Sequence, residues 1–175
     1  MVSTREILGI DSHQQSPDEW VPIEGSLEAI ARLHQAGYRI IVITNQSGIG
    51  SGLFDLPTLE AMHEKMRQAV VAQGGELAAI YFCPHTPDDH CDCRKPKPGL
   101  FKQAQADFLI DFEQAYAVGD SLRDIQAAQA VGCEAFLVKT GKGNRTLGSN
   151  GKALQSVPVF NNLSEVVDFL LTRKE

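Results

Sequence analysis

The sequence predicts a doubly wound parallel α/β fold, a Rossmann-like sheet flanked by helices. Three observations carry that expectation. Short β-branched runs alternate with stretches of helical periodicity, and no internal repeat or low-complexity tract interrupts them. Three polar segments, 44–52, 83–98 and 119–124, each begin where an apolar run stops. In a parallel sheet the ligand lies beyond the carboxyl ends of the strands, so these segments are expected to share one site.

The elements follow in order. Residues 26–36 read as a helix with Leu27, Ile30, Ala31 and Leu33 inward, stopped by Gly37. Residues 38–44 (YRIIVIT) suit a strand buried on both faces. Asp55 and Pro57 open a helix with Leu59, Met62, Met66 and Val70 at helical spacing, closed by Gly74 and Gly75. Residues 77–82 form the next strand, 99–108 a helix, 115–118 a strand and 122–131 a helix ended by Gly132. A strand over 135–139, another over 157–160 and a helix over 164–172 complete the chain. At 175 residues there is room for one core and little for two, so a single domain over 1–175 is expected.

The net charge of −6 lacks the basic excess of a nucleic-acid binder, though a few local cations suffice for one small phosphate. No stretch approaches the roughly 18 apolar residues of a membrane span, and the start MVSTREILGI does not read as a signal peptide. Cytoplasmic location is expected, with neither nucleic acid nor membrane as partner.

Cys83, His85, Cys91 and Cys93 place three thiols and an imidazole within eleven positions. That donor set suits tetrahedral zinc, and a loop with Pro84, Pro87, Asp88 and Asp89 has little apolar surface to order itself otherwise. His90 is the alternative to His85. Four protein ligands close the coordination sphere, which makes the zinc structural. Cys133, after a helix-ending glycine, reads as core.

Thr44-Asn45-Gln46-Ser47-Gly48 offers hydroxyls and N–H groups at a strand end, a cradle for phosphate oxygens or an ordinary polar turn. Arg94-Lys95-Pro96-Lys97-Pro98 follows the last thiol, either a cationic clamp on a metal-ordered loop or a solvated basic run. Gly119-Asp120-Ser121-Leu122-Arg123-Asp124 puts two carboxylates at another strand end, suited to Mg²⁺, with Asp120 as a helix N-cap the plainer reading. Together they are the parts phosphoryl transfer needs.

Thr44-Asn45-Gln46-Ser47-Gly48, Cys83-Pro-His85, Cys91-Asp-Cys93-Arg94-Lys95-Pro96 and Gly119-Asp120 resemble the D-glycero-D-manno-heptose-1,7-bisphosphate 7-phosphatases of the haloacid dehalogenase (HAD) superfamily. The likeness runs from Ser16 to the C-terminus, leaving 1–15 as a divergent N-terminus and 83–98 as the zinc loop. It implies a HAD-type fold and Mg²⁺-dependent hydrolysis of a small phosphorylated sugar by a monomer, a step toward bacterial surface polysaccharide. Thr44 and Lys95 would stabilise the phosphoryl group, Arg94 would recognise substrate, and Asn45, Gln46, Ser47 and Ser121 would line the pocket. Asp120 would bind Mg²⁺, with Asp124 behind it. Histidinol-phosphate phosphatases share the zinc loop but usually carry Asp where Ser47 stands, so they are the alternative in substrate. A non-enzymatic alternative is a phosphate-binding or vestigial domain.

The family carries Asp-x-Asp-Gly after its first strand, supplying nucleophile and acid/base, and no Asp-x-Asp occurs in this sequence. Two explanations are open. In the favoured one the first strand and nucleophile are lost. In the other, 6–11 is a shortened first strand, Asp11 is the nucleophile and a Mg²⁺ ligand, and His13 takes the acid/base position.

Overall fold

The structure, a computed structural model, describes residues 5–8 as backbone and residues 16–173 in full. Among these residues the sheet has six parallel strands: β1 (Arg5–Leu8), β2 (Tyr38–Asn45), β3 (Ala79–Cys83), β4 (Tyr116–Gly119), β5 (Glu134–Val138) and β6 (Val159–Phe160). Their order is β3-β2-β1-β4-β5-β6. That is the doubly wound arrangement, with its topological switch point between β1 and β4.

The expected loss of the first strand is therefore corrected. β1 lies at the centre of the sheet, pairing four residues with β2 (Leu8 opposite Ile41) and two with β4 (Leu8 opposite Ala117). Its short length and its Arg5-Glu6 start make it look like a lead-in rather than a buried strand. Asp11 and His13 lie outside the described residues.

Period-two alternation builds the two cores. Ile41, Ile43, Ala117, Ala135 and Leu137 face one side, against Leu100, Phe101 and Ala104 of α4 (Gly99–Phe108) and Ile125, Ala127 and Ala128 of α5 (Leu122–Gln129). Ile40, Val42, Val118, Phe136 and Val138 face the other. There they meet α1 (Ser26–Gln35), α3 (Leu56–Ala72) and α7 (Leu163–Thr172). Asp55 caps α3 through Thr58 N–H, with Pro57 in the first turn, as its sequence signature requires. Cys133 is buried. Two helices had no clear signature: α2 (Ser47–Gly50), a single turn, and α6 (Gly143–Asn150), whose buried residues are Gly143 and Thr146 rather than an apolar stripe. Among the described residues no helix is long and apolar enough to cross a membrane.

Phe136 is the keystone of the second core. It is fully buried, stacks on Tyr116 at 5.8 Å and meets Phe160 and Phe169 edge-on at 5.6 and 5.8 Å. Phe136→Ala is expected to cost about 3–5 kcal/mol, read as a lower urea midpoint.

Candidate active site and metal loop

Thr44 and Asn45 end β2, Cys83 ends β3 and Asp120 directly follows β4, so the polar segments share the carboxyl edge of the sheet. Asn45 and Cys83 stand opposite one another in the β2–β3 ladder, and Gln46 N–H donates to the Cys83 carbonyl at 2.7 Å.

The loop after β3 gathers Cys83, His85, Cys91 and Cys93, whose ligand atoms all lie within 4.8 Å of one another. Cys93 Sγ is 3.0 Å from Cys83 Sγ, 3.5 Å from Cys91 Sγ and 3.2 Å from His85 Nδ1; Cys83 Sγ is 3.6 Å from both Cys91 Sγ and His85 Nδ1. A zinc tetrahedron with ~2.3 Å Zn–S bonds has edges of about 3.8 Å. Five of the six ligand–ligand distances fall a little short of that edge, and the soft donors fit the ion. Burial, then contact with Cys93, pushes the Cys83 thiol up to about 12. Cys91 shifts the other way, down to about 7: burial raises it, but the Arg94 N–H and the neighbouring thiols outweigh that. Between the ligands, the turn Pro87–Asp89 is closed by Asp89, which accepts from Thr86 N–H at 2.7 Å. His90 is not in the cluster; it ends this turn with a left-handed backbone.

Arg94 and Lys95 leave the cluster in different directions. Arg94 Nη1 donates to the His85 carbonyl at 3.1 Å, which ties the guanidinium to the metal loop. Lys95 turns inward until 2% of it remains exposed. Its Nζ donates to the Ile43 carbonyl at 2.8 Å and lies 2.6 Å from Asp124 Oδ1, a charge contact rather than an aligned hydrogen bond. An ammonium has three N–H donors, and the Ile43 carbonyl takes one of them.

Asp124 is held in turn by Ser121, whose N–H and hydroxyl both donate to its Oδ2, at 3.0 and 2.7 Å. Ser121, not Asp120, caps α5, and its hydroxyl is engaged in that box. Burial alone would raise the Asp124 carboxyl, but the Lys95 ammonium and the Ser121 donors hold it below the ordinary carboxylate range.

Thr44 is buried, and its hydroxyl accepts from Gln46 Nε2 at 3.1 Å. Ser47 opens α2 and is half-buried. Asn45 faces Lys95, and both of its polar atoms bond to that residue's main chain.

Two contributors had gone unread in the sequence. Gly50 docks the 47–50 turn on the metal loop through N–H to the Pro84 carbonyl at 3.0 Å, where a Cβ would lie 2.7 Å from that oxygen. The segment after β5 holds Asp120: Lys142 N–H donates to its Oδ2 at 2.8 Å, and Thr146 Oγ1 donates to its carbonyl at 2.8 Å. Gly141, with φ 60°, lets the chain come that close, since a Cβ there would strike Asp120 Oδ2. The Thr-Gly-Lys-Gly run at a fourth strand end was the available signal. Asp120 is a hard oxygen donor braced by neutral groups, a suitable ligand for Mg²⁺.

Lys95→Met strands a buried carboxylate and is expected to destabilise by about 3–5 kcal/mol, with Lys95→Met/Asp124→Asn recovering part of the loss in urea unfolding. Because the folded Asp124 value lies below its unfolded value of ~3.9, its stabilisation is full above about pH 4. It is lost as pH falls through the folded value, and Asp124→Asn should remove that acid limb. Zinc analysis should find about one ion per chain, with a Cys91→Ser variant losing both metal and thermal stability.

Comparison with known proteins agrees with this geometry. Residues 92–166 match a HAD-hydrolase-like family model. The D-glycero-beta-D-manno-heptose-1,7-bisphosphate 7-phosphatase of Pseudomonas aeruginosa is 51% identical over 165 residues, covering 94% of this chain and 91% of that protein. Its Bordetella bronchiseptica counterpart is 47% identical, covering 92% and 89%. The crystal structure of D,D-heptose 1,7-bisphosphate phosphatase from B. bronchiseptica, complexed with magnesium and phosphate, superposes with a TM-score of 0.91 at 44% identity, covering 97% of this chain and 99% of that one. The Burkholderia thailandensis enzyme gives 0.72 at 43% identity, covering 95% and 99%. A sheet of HAD type, a thiol–imidazole loop and near-complete coverage by such relatives together establish that this chain belongs to the D-glycero-beta-D-manno-heptose-1,7-bisphosphate 7-phosphatase family.

Proposed function

We propose that the chain, as one HAD-like domain, removes the 7-phosphate of D-glycero-beta-D-manno-heptose 1,7-bisphosphate. It acts as a monomer in the reducing cytoplasm, where its four cysteines stay out of disulfides. The observation that carries the reading is the gathering of a buried ammonium (Lys95), a strand-end hydroxyl (Thr44) and a braced carboxylate (Asp120) around the switch point beside β1.

The nucleophile is assigned to Asp11. Counted along the chain, it stands three residues past Leu8, the count that also separates Ile41 from Thr44 and Ala117 from Asp120. Ile41 and Ala117 are the two partners of Leu8. Its carboxylate oxygen attacks phosphorus, the bond from phosphorus to the sugar oxygen breaks, and that oxygen takes a proton from His13. Water, giving a proton back to His13, then attacks the aspartyl phosphate and releases inorganic phosphate. Lys95 and Thr44 stabilise the equatorial oxygens through both steps. Ser47, at the start of α2, faces the entering sugar, and Arg94, steadied on the metal loop, binds its distal phosphate.

Asp11 and Asp120 would hold Mg²⁺, which supplies charge neutralisation at the phosphoryl oxygens. Cys83, His85, Cys91 and Cys93 would hold zinc, which supplies order to the loop that presents Arg94 and Lys95.

Purified protein with Mg²⁺ is expected to release phosphate from the heptose bisphosphate far faster than from histidinol phosphate. Asp11→Asn should lower kcat at least about 10³-fold. Full activity in that variant would remove Asp11 from the mechanism, and absence of turnover in the wild type would leave a phosphate-binding domain.

A further inference from the structure

We propose that Asn45 is a positioning residue for Lys95 and not a contact to substrate; this rests on the reading of Lys95 as the cation that stabilises the phosphoryl group. Asn45 Oδ1 accepts from the Lys95 N–H at 3.1 Å, and Asn45 Nδ2 donates to the Lys95 carbonyl at 3.2 Å. One planar amide thus grips both main-chain polar groups of one residue. Two such bonds set orientation as well as distance, which a single bond does not.

The need for such a grip lies in the local chain. Residues 94–97 form turns, with no strand or helix to supply main-chain partners for Lys95. Its side chain is long and rotamer-rich, so the position of Nζ is only as definite as that of the backbone that carries it. β2 supplies both anchors: the Ile43 carbonyl holds Nζ at 2.8 Å, and Asn45 holds the main chain. The same Asn45 stands opposite Cys83 in the ladder. The loop bearing the thiol–imidazole cluster therefore leaves the sheet beside Asn45 and is tied back, at Lys95, to the side chain of the same residue.

A residue whose carbonyl and amide groups already serve Lys95 has a single amide hydrogen left for anything else. Its removal should displace the ammonium without deleting a substrate bond. Misplacing a catalytic group by about 1 Å costs on the order of 10² in rate.

The test is steady-state kinetics of Asn45→Ala and Asn45→Asp, each in wild-type and Lys95→Met backgrounds, with site-resolved hydrogen exchange at the Lys95 amide. Asn45→Ala should lower kcat about 10–100-fold and leave KM within about twofold. Asn45→Asp keeps the acceptor for the Lys95 N–H and should recover part of kcat. In the Lys95→Met background the Asn45 change should add nothing. Exchange at the Lys95 amide should quicken at least about tenfold in Asn45→Ala, at unchanged zinc content. A KM raised tenfold at constant kcat, effects that multiply in the double variant, or unaltered exchange would each overturn the proposal. An inactive wild type would overturn the proposed hydrolysis instead, and exchange at Lys95 in the two Asn45 variants would still decide whether the grip exists.

Discussion

Bringing a lysine ammonium out of water to the carboxyl edge of a sheet carries a large desolvation cost, and the arrangement of this site follows from how that cost is met. Asp124 supplies the opposite charge, the Ile43 carbonyl a neutral acceptor, and Ser121 binds Asp124 so that it cannot swing away. They come from two places, the end of β2 and the capped start of α5. The ion pair thereby draws together segments distant in sequence, at a point where the parallel topology already directs their ends.

Around that pair the loops support one another rather than standing alone. The turn that follows β2 rests on the Pro84 carbonyl through Gly50, and Arg94 rests on the His85 carbonyl. The segment after β5 reaches back to Asp120 through Lys142 and Thr146. The thiol–imidazole cluster is the common footing of the first two. Cys83, His85, Cys91 and Cys93 would hold zinc there, which would supply order to the loop from which Arg94 and Lys95 project.

Much of this was legible in the residues. Helix 99–108 and the strand–helix alternation follow from apolar spacing, and the polar strand ends mark the site because open α/β sheets bind ligands there. The four-ligand cluster follows from donor chemistry at short range, and His85 rather than His90 completes it. What escaped has identifiable causes. β1 is short and begins with two charged residues, so only pairing on both sides reveals it as central. α6 has two glycines and no apolar stripe. The polar run at 44–48 announces hydrogen bonding but not its direction. Asn45 and Gln46 direct their carboxamides at Lys95 and Thr44, and nothing in local sequence distinguishes that from facing a ligand.

The placement of β1 also shapes how the molecule is made. Among the described strands it comes first along the chain, and Ile7 must wait for Tyr116 before its second edge is covered. Contacts so distant along the chain form slowly, and an uncovered strand is open to pairing with other chains. β2 and β3 can shield one side early, while the other stays bare until β4 has been made. Slower translation of the segment that joins β1 to β4 would lengthen that exposure.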